Sequence, residues 1–172
     1  MAYEPDPLLP NDQQSPIALK ALTLYGEARG EPTTGKRAVL WTIRNRQARA
    51  KAYMDKHGHA HPLYGDGSAA GVVLKPYQYS CWLKGDPNLR EIMDIIHSGG
   101  ESIGAFWPVL CALVDKVESE TPDQDPTFGA THYVINSMWA EPGDKWFQQD
   151  EIAAGHTKQT IMIGNHTFAR VA

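Results

Sequence analysis

Apolar residues recur at helical spacing through the first two thirds of the chain and alternate with polar ones in the last third. Ile17, Leu19, Ala21, Leu22 and Leu24 are dense enough to predict a helix covered on most sides, opened by Ser15 as cap and Pro16 at its first position. Gly30 and Pro32 stop it, leaving Glu27 in the last turn and Glu31 outside. A second helix is predicted over about 34–52, capped by Thr33 or Thr34, with Ala38, Val39, Leu40, Trp41 and Ile43 on its apolar side. Arg44, Arg46, Arg49 and Lys51 crowd its C-terminal half, where cations suit the helix dipole. Residues 53–75, rich in Gly, His and Ala, read as a long loop. Leu89, Ile92, Met93, Ile95 and Ile96 predict a helix that opens at Pro87 or Asn88 and closes at Gly99-Gly100. Phe106, Val109, Leu110, Leu113, Val114 and Val117 predict another over about 103–119.

The pattern changes after that. Residues 130–135 read as a strand. Two further β-rich runs, 160–163 and 166–170, are split by Gly164-Asn165 and predict a hairpin. Helices first and a small antiparallel sheet last give an α+β class. Residues 1–15, with three prolines, form an arm in this reading, and 16–172 form a single domain.

Composition removes several functions. With 20 acidic and 16 basic residues the net charge is −4, which gives no footprint for nucleic acid. No apolar run is long enough to span a bilayer, so no stable membrane association is expected. The opening residues lack a basic head and an apolar core, so no Sec-type signal is expected and synthesis is assigned to the cytoplasm. Two cysteines, Cys81 and Cys111, make no disulfide framework, and Cys111 is expected to be a buried thiol.

Two chemical signals remain. The first is Gly26-Glu27-Ala28-Arg29-Gly30-Glu31, with two carboxylates four residues apart around a helix end. The second is an aromatic inventory in polar stretches: Tyr77, Tyr79, Trp82, Tyr133, Trp139 and Trp146, mixed with amide and hydroxyl groups, which suits pyranose rings. His57, His59 and His61 alternate in a segment with no strand pattern and are expected to be solvated. His132 and His166 both fall on predicted strands and could meet across the sheet, which keeps a zinc site open.

Four ordered blocks resemble the SleB/CwlJ-like cell wall hydrolases. They are Tyr25 to Pro32, with Gly35 to Val39 and Asn45-Arg46 after it; Gln78-Tyr79-Ser80-Cys81-Trp82; Gly129 to Tyr133; and Ile163 to Phe168. The resemblance implies a lysozyme-like scaffold that cleaves peptidoglycan glycan strands by lytic transglycosylation, with no cofactor or metal. It also implies that Glu27 is the catalytic acid. Glu31, Gln78, Tyr79, Ser80, Trp82, Thr131, His132, Tyr133 and Trp139 are the expected substrate-binding residues, with Arg29 and Glu31 also expected to brace the helix end. The family's usual Phe-Tyr ending is Phe168-Ala169 here. A chain without a wall-binding module suits a monomeric phage endolysin acting in host lysis. Two alternatives stay open: a hydrolytic muramidase using Glu31 or another acid, and a zinc amidase using His132 and His166.

Overall fold

The computed structural model describes residues 14–140 and 157–171. Most of the expected arm, and Trp146, lie outside the described residues.

Helix α1 (Pro16–Ala28) runs through the centre. Ser15 caps it by accepting a hydrogen bond from the Ala18 N–H at 3.1 Å. Eight of its 13 residues are buried, including Lys20 and Thr23, because helices α2 (Thr33–His57), α3 (Ala69–Val73), α4 (Pro87–His97) and α5 (Phe106–Ser119) surround it. Lys20 reaches Glu118 at 2.9 Å, so its buried charge is paired. The core joins Leu22 and Leu24 of α1 to Val39, Leu40 and Ile43 of α2, Val72 and Val73 of α3, Ile92 and Ile95 of α4, and Leu110 and Val114 of α5.

Two expectations change. Helix α2 continues five residues past 52, because Tyr53 packs on His57 at 4.2 Å and Gly58, at φ 74°, supplies the left-handed stop. Its first turn has no side-chain cap; Pro32, not Thr33 or Thr34, occupies the cap position. The expected 53–75 loop therefore shrinks, and it also contains α3, whose first turn Ser68 caps through the Gly71 N–H. The thiol expectation reverses as well. Cys81 is fully buried, whereas Cys111, on the flank of α5, is half-buried.

Strands β1 (His132–Ile135), β2 (Thr157–Ile163) and β3 (His166–Val171) form an antiparallel sheet in the order β1-β3-β2, with the short helix α6 (Asn136–Ala140) after β1. Hairpin β2–β3 turns at Gly164-Asn165, as its sequence predicts. Tyr133 pairs with Phe168 and Ile135 with His166, so all four share one sheet face, on which Phe168 joins the helical core and Tyr133 packs against it. Val134 and Ala169 on the other face form a small second cluster with Trp139. The architecture is α+β, mainly helical and lysozyme-like, as expected.

Candidate active site

Glu27 is placed by the helix it ends. Extended Tyr79 leads from the turn ending at Gln78 into a short 3-10 turn (Ser80–Trp82) in contact with α1. Gly26 permits that approach: a β-carbon there would collide with the Cβ and Sγ of Cys81. The indole N–H of Trp82 donates to Thr23 Oγ1 at 3.0 Å and fixes the turn from below. As a result the Cys81 backbone N–H donates to Glu27 Oε1 at 2.9 Å, with the Ser80 hydroxyl at 3.4 Å from the same oxygen. From the sheet, the Tyr133 hydroxyl donates to Glu27 Oε2 at 3.0 Å.

The two carboxylate oxygens are therefore unequal. Oε1 faces a backbone N–H, which can only donate. Oε2 faces a phenol hydroxyl, which can donate or accept. A proton on Oε2 can be shared with the Tyr133 hydroxyl at 3.0 Å, whereas the Cys81 N–H at Oε1 cannot accept one. Burial, and then the Glu27 charge, push the Tyr133 phenol well above its usual pKa, so it stays a neutral hydroxyl.

Arg46 braces this arrangement from α2. Its guanidinium is buried, donates to the carbonyls of Thr131 (2.6 Å) and Gln78 (3.2 Å), and lies over the Tyr79 ring at 4.7 Å. One side chain thus ties the segment before β1 to the segment before the 3-10 turn.

Glu27 opens into a cavity of about 820 Å³. Of the residues expected at the site, Gln78, Ser80, His132 and Tyr133 line it with Glu27. Tyr79, Trp82 and Thr131 lie behind the wall, each at most 2% exposed, and work as supports. Trp139 packs on Val134 and Ala169 instead. The sequence left Arg46 and Leu63 out as lining residues, named Tyr77 only within the aromatic inventory and held His166 only for zinc. The Asn45-Arg46 and Gly164-Asn165-His166 blocks carried two of these signals; Leu63 had none.

Glu31 is occupied elsewhere. Its carboxylate accepts from the Asn165 side chain at 2.9 Å and the Asn165 backbone at 3.2 Å, across the hairpin turn. Burial pushes the Glu31 carboxyl up, but the Asn165 hydrogen bonds and the His166 and Lys36 charges together hold it below its usual value. The Lys36 ammonium also caps the Glu31 carbonyl. Arg29 contacts Asn88 at 2.6 Å and Glu91 at 3.3 Å, so it joins the end of α1 to α4 and does not pair with Glu27.

The histidines do not converge. His132 pairs with Ala169, and His166 pairs with Ile135. Ile135 is three positions after His132, an odd offset, so the two imidazoles belong to opposite faces of the sheet. His132 Nδ1 is 2.9 Å from Thr131 Oγ1, and burial with Arg46 and Arg49 nearby lowers its pKa to about 3. Burial also lowers His166, against the pull of Glu31 and Glu27. His57 and His59 are exposed, as expected, and His61 is half-buried beside Tyr53 and Tyr64. Among the described residues no group of three or more His, Cys, Asp or Glu is placed to hold a metal ion.

Comparisons with known proteins bear on the family and the fold. The sequence profile of the Cell Wall Hydrolase family matches residues 30–169. It begins three residues after Glu27, so the place of that residue rests on the motif and the site. The fold is similar to the catalytic domain of the germination-specific lytic transglycosylase SleB from Bacillus anthracis, at TM-score 0.53 and 20% identity, over 94% of this chain and 100% of that one. It is similar also to the catalytic domain of the Bacillus cereus SleB protein, at TM-score 0.51 and 22% identity, over 96% and 98%. No curated protein sequence matches the chain.

Proposed function

Because the chain belongs to the cell wall hydrolase family, we propose that it cleaves peptidoglycan glycan strands as a lytic transglycosylase, with Glu27 as its single acid and base. The observation that carries this reading is the carboxylate inventory of the cavity. Among the described residues lining it, Glu27 is the only carboxylate, and Glu31 is held by Asn165 at the hairpin turn.

A glycosidase that activates water uses a second carboxyl group, about 5–9.5 Å from the first depending on stereochemistry. Transglycosylation needs one. Glu27 Oε2 gives its proton to the glycosidic oxygen between N-acetylmuramic acid and N-acetylglucosamine, and the C1–O bond breaks. The carboxylate then takes the proton from the muramoyl 6-hydroxyl, whose oxygen bonds to C1 and closes a 1,6-anhydro ring. Proton and bond counts balance without water. Tyr133 can follow the charge on Oε2 by rotating its hydroxyl, while the Cys81 N–H holds Oε1 in place throughout.

Mass spectrometry of digested peptidoglycan tests the reading. Anhydro-muramoyl ends, lighter than reducing ends by one water, are expected. Reducing ends would favour the muramidase, and activity abolished by a chelator the amidase. Glu27→Gln should lose at least 100-fold in rate with an almost unchanged thermal midpoint; retained lysis would remove Glu27 from its role. The host-lysis role belongs to the same proposal. Cells expressing the protein should clear once their inner membrane is permeabilised, and cells expressing Glu27→Gln should not.

A further inference from the structure

Tyr77 has a backbone that its residue type disfavours. Gln78 N donates to Lys75 O at 3.1 Å, closing a four-residue turn with Pro76 second and Tyr77 third. The φ of Tyr77 is 65°. This is the pattern of a type II turn, whose third position favours Gly or Asn. A bulky residue there is strained.

Core packing does not offset that strain. Tyr77 is 61% exposed, and what its side chain does is line the cavity that Glu27 opens into. Phe128, the other non-glycine residue at positive φ among those described, is exposed but not among the residues lining the cavity. The Tyr77 turn is also held firmly. Arg46 binds the Gln78 carbonyl from below, and Ser80, three residues on, contacts Glu27. At full extension Tyr77 and Ser80 are within about 10 Å of each other, Cα to Cα. Leu63, 53% exposed, adds an apolar surface to the same cavity.

We propose that Tyr77 is a sugar-stacking residue: its ring face receives the apolar face of an N-acetylated pyranose in a subsite next to the scissile bond. This rests on the glycan-cleavage reading and deepens it. The hydrogen-bonded turn keeps the Tyr77 backbone at the cavity and spares part of the ordering cost that an aromatic on a mobile loop would add on binding. The face does the binding, not the hydroxyl.

The test uses glycan strands from purified peptidoglycan, stripped of stem peptides, and protein carrying Glu27→Gln so that the probe survives. Adding Tyr77→Gly should weaken binding about tenfold, with the thermal midpoint unchanged or raised because glycine accepts the turn. Tyr77→Phe should bind within about twofold of its parent. Unchanged affinity in Tyr77→Gly overturns the stacking role and leaves the cleavage reading standing. A large fall in thermal midpoint along with lost binding also overturns it, because Tyr77 would then be structural. If binding falls as expected but the enzyme with Glu27 intact yields no anhydro ends, the stacking role stands and the cleavage chemistry is wrong. Absence of glycan binding in the parent overturns both.

Discussion

At the scale of single residues, the donors on Glu27 divide its two oxygens by function. Tyr133→Phe removes the hydroxyl on Oε2 that can reverse its hydrogen bond, which the proposed proton transfer uses. The expected result is a fall in kcat of about 10- to 100-fold with KM little changed, read from turbidity of peptidoglycan suspensions. Thermal stability should fall by only about 1 kcal/mol. Glu31 is a separate case. Its folded pKa lies below that of a free carboxyl, so its contribution is full above the unfolded value of about 4.3 and is lost as pH falls through the lowered folded value. Glu31→Gln should therefore flatten the low-pH part of a urea-midpoint profile. Loss of the anhydro product with the fold retained would instead give Glu31 a chemical role.

At the scale of elements, the 78–82 stretch explains which residues reach the cavity. Extended backbone sends Gln78 to the cavity and Tyr79 into the core, and the 3-10 turn then exposes Ser80 while Cys81 and Trp82 pack beneath it. Residue type favoured Tyr79 and Trp82 as sugar contacts; the backbone direction assigns them to support, and that direction depends on a turn the composition does not specify. The helix ends were easier to read. Ser15-Pro16 and Gly30–Pro32 mark α1, and Gly164-Asn165 marks the hairpin. Gly58 carried the same kind of signal for the end of α2, but the Gly, His and Ala content of 53–75 hid the helix before it. Gly26→Ala tests how closely α1 and the 3-10 turn must approach. The added methyl overpacks a core contact, at a cost of about 1–3 kcal/mol, and shifts Cys81 N–H from Glu27 Oε1. Both thermal midpoint and kcat should fall; unchanged activity would mean that the Cys81 donor is dispensable.

At the scale of the whole molecule, acid should weaken the fold through His132. Its folded pKa of about 3 lies below the unfolded value of about 6.5. Between those values the unfolded chain binds the extra proton, so stability is full above about pH 6.5 and is lost as pH falls toward 3. His132→Gln should flatten this slope in denaturant titrations, and an unchanged slope would assign it to other groups. The cavity itself was the least legible feature, because it is made by distant segments. Helix α1 supplies Glu27, α2 supplies Arg46, a turn supplies Gln78, and the sheet supplies Tyr133. Motif order showed that these blocks belong together, but not that one guanidinium joins two of them.

The sheet order β1-β3-β2 has a consequence for when the contact between Tyr133 and Glu27 can form. The last strand, β3, lies in the middle and is the partner that seats β1, which carries Tyr133. The Glu31 clamp on Asn165 spans 134 residues of sequence. A nascent chain can therefore form α1 and present Glu27 early in translation, yet it lacks the strand that positions Tyr133 until residues 166–171 leave the ribosome. The Tyr133–Glu27 contact therefore waits on a strand made after both residues.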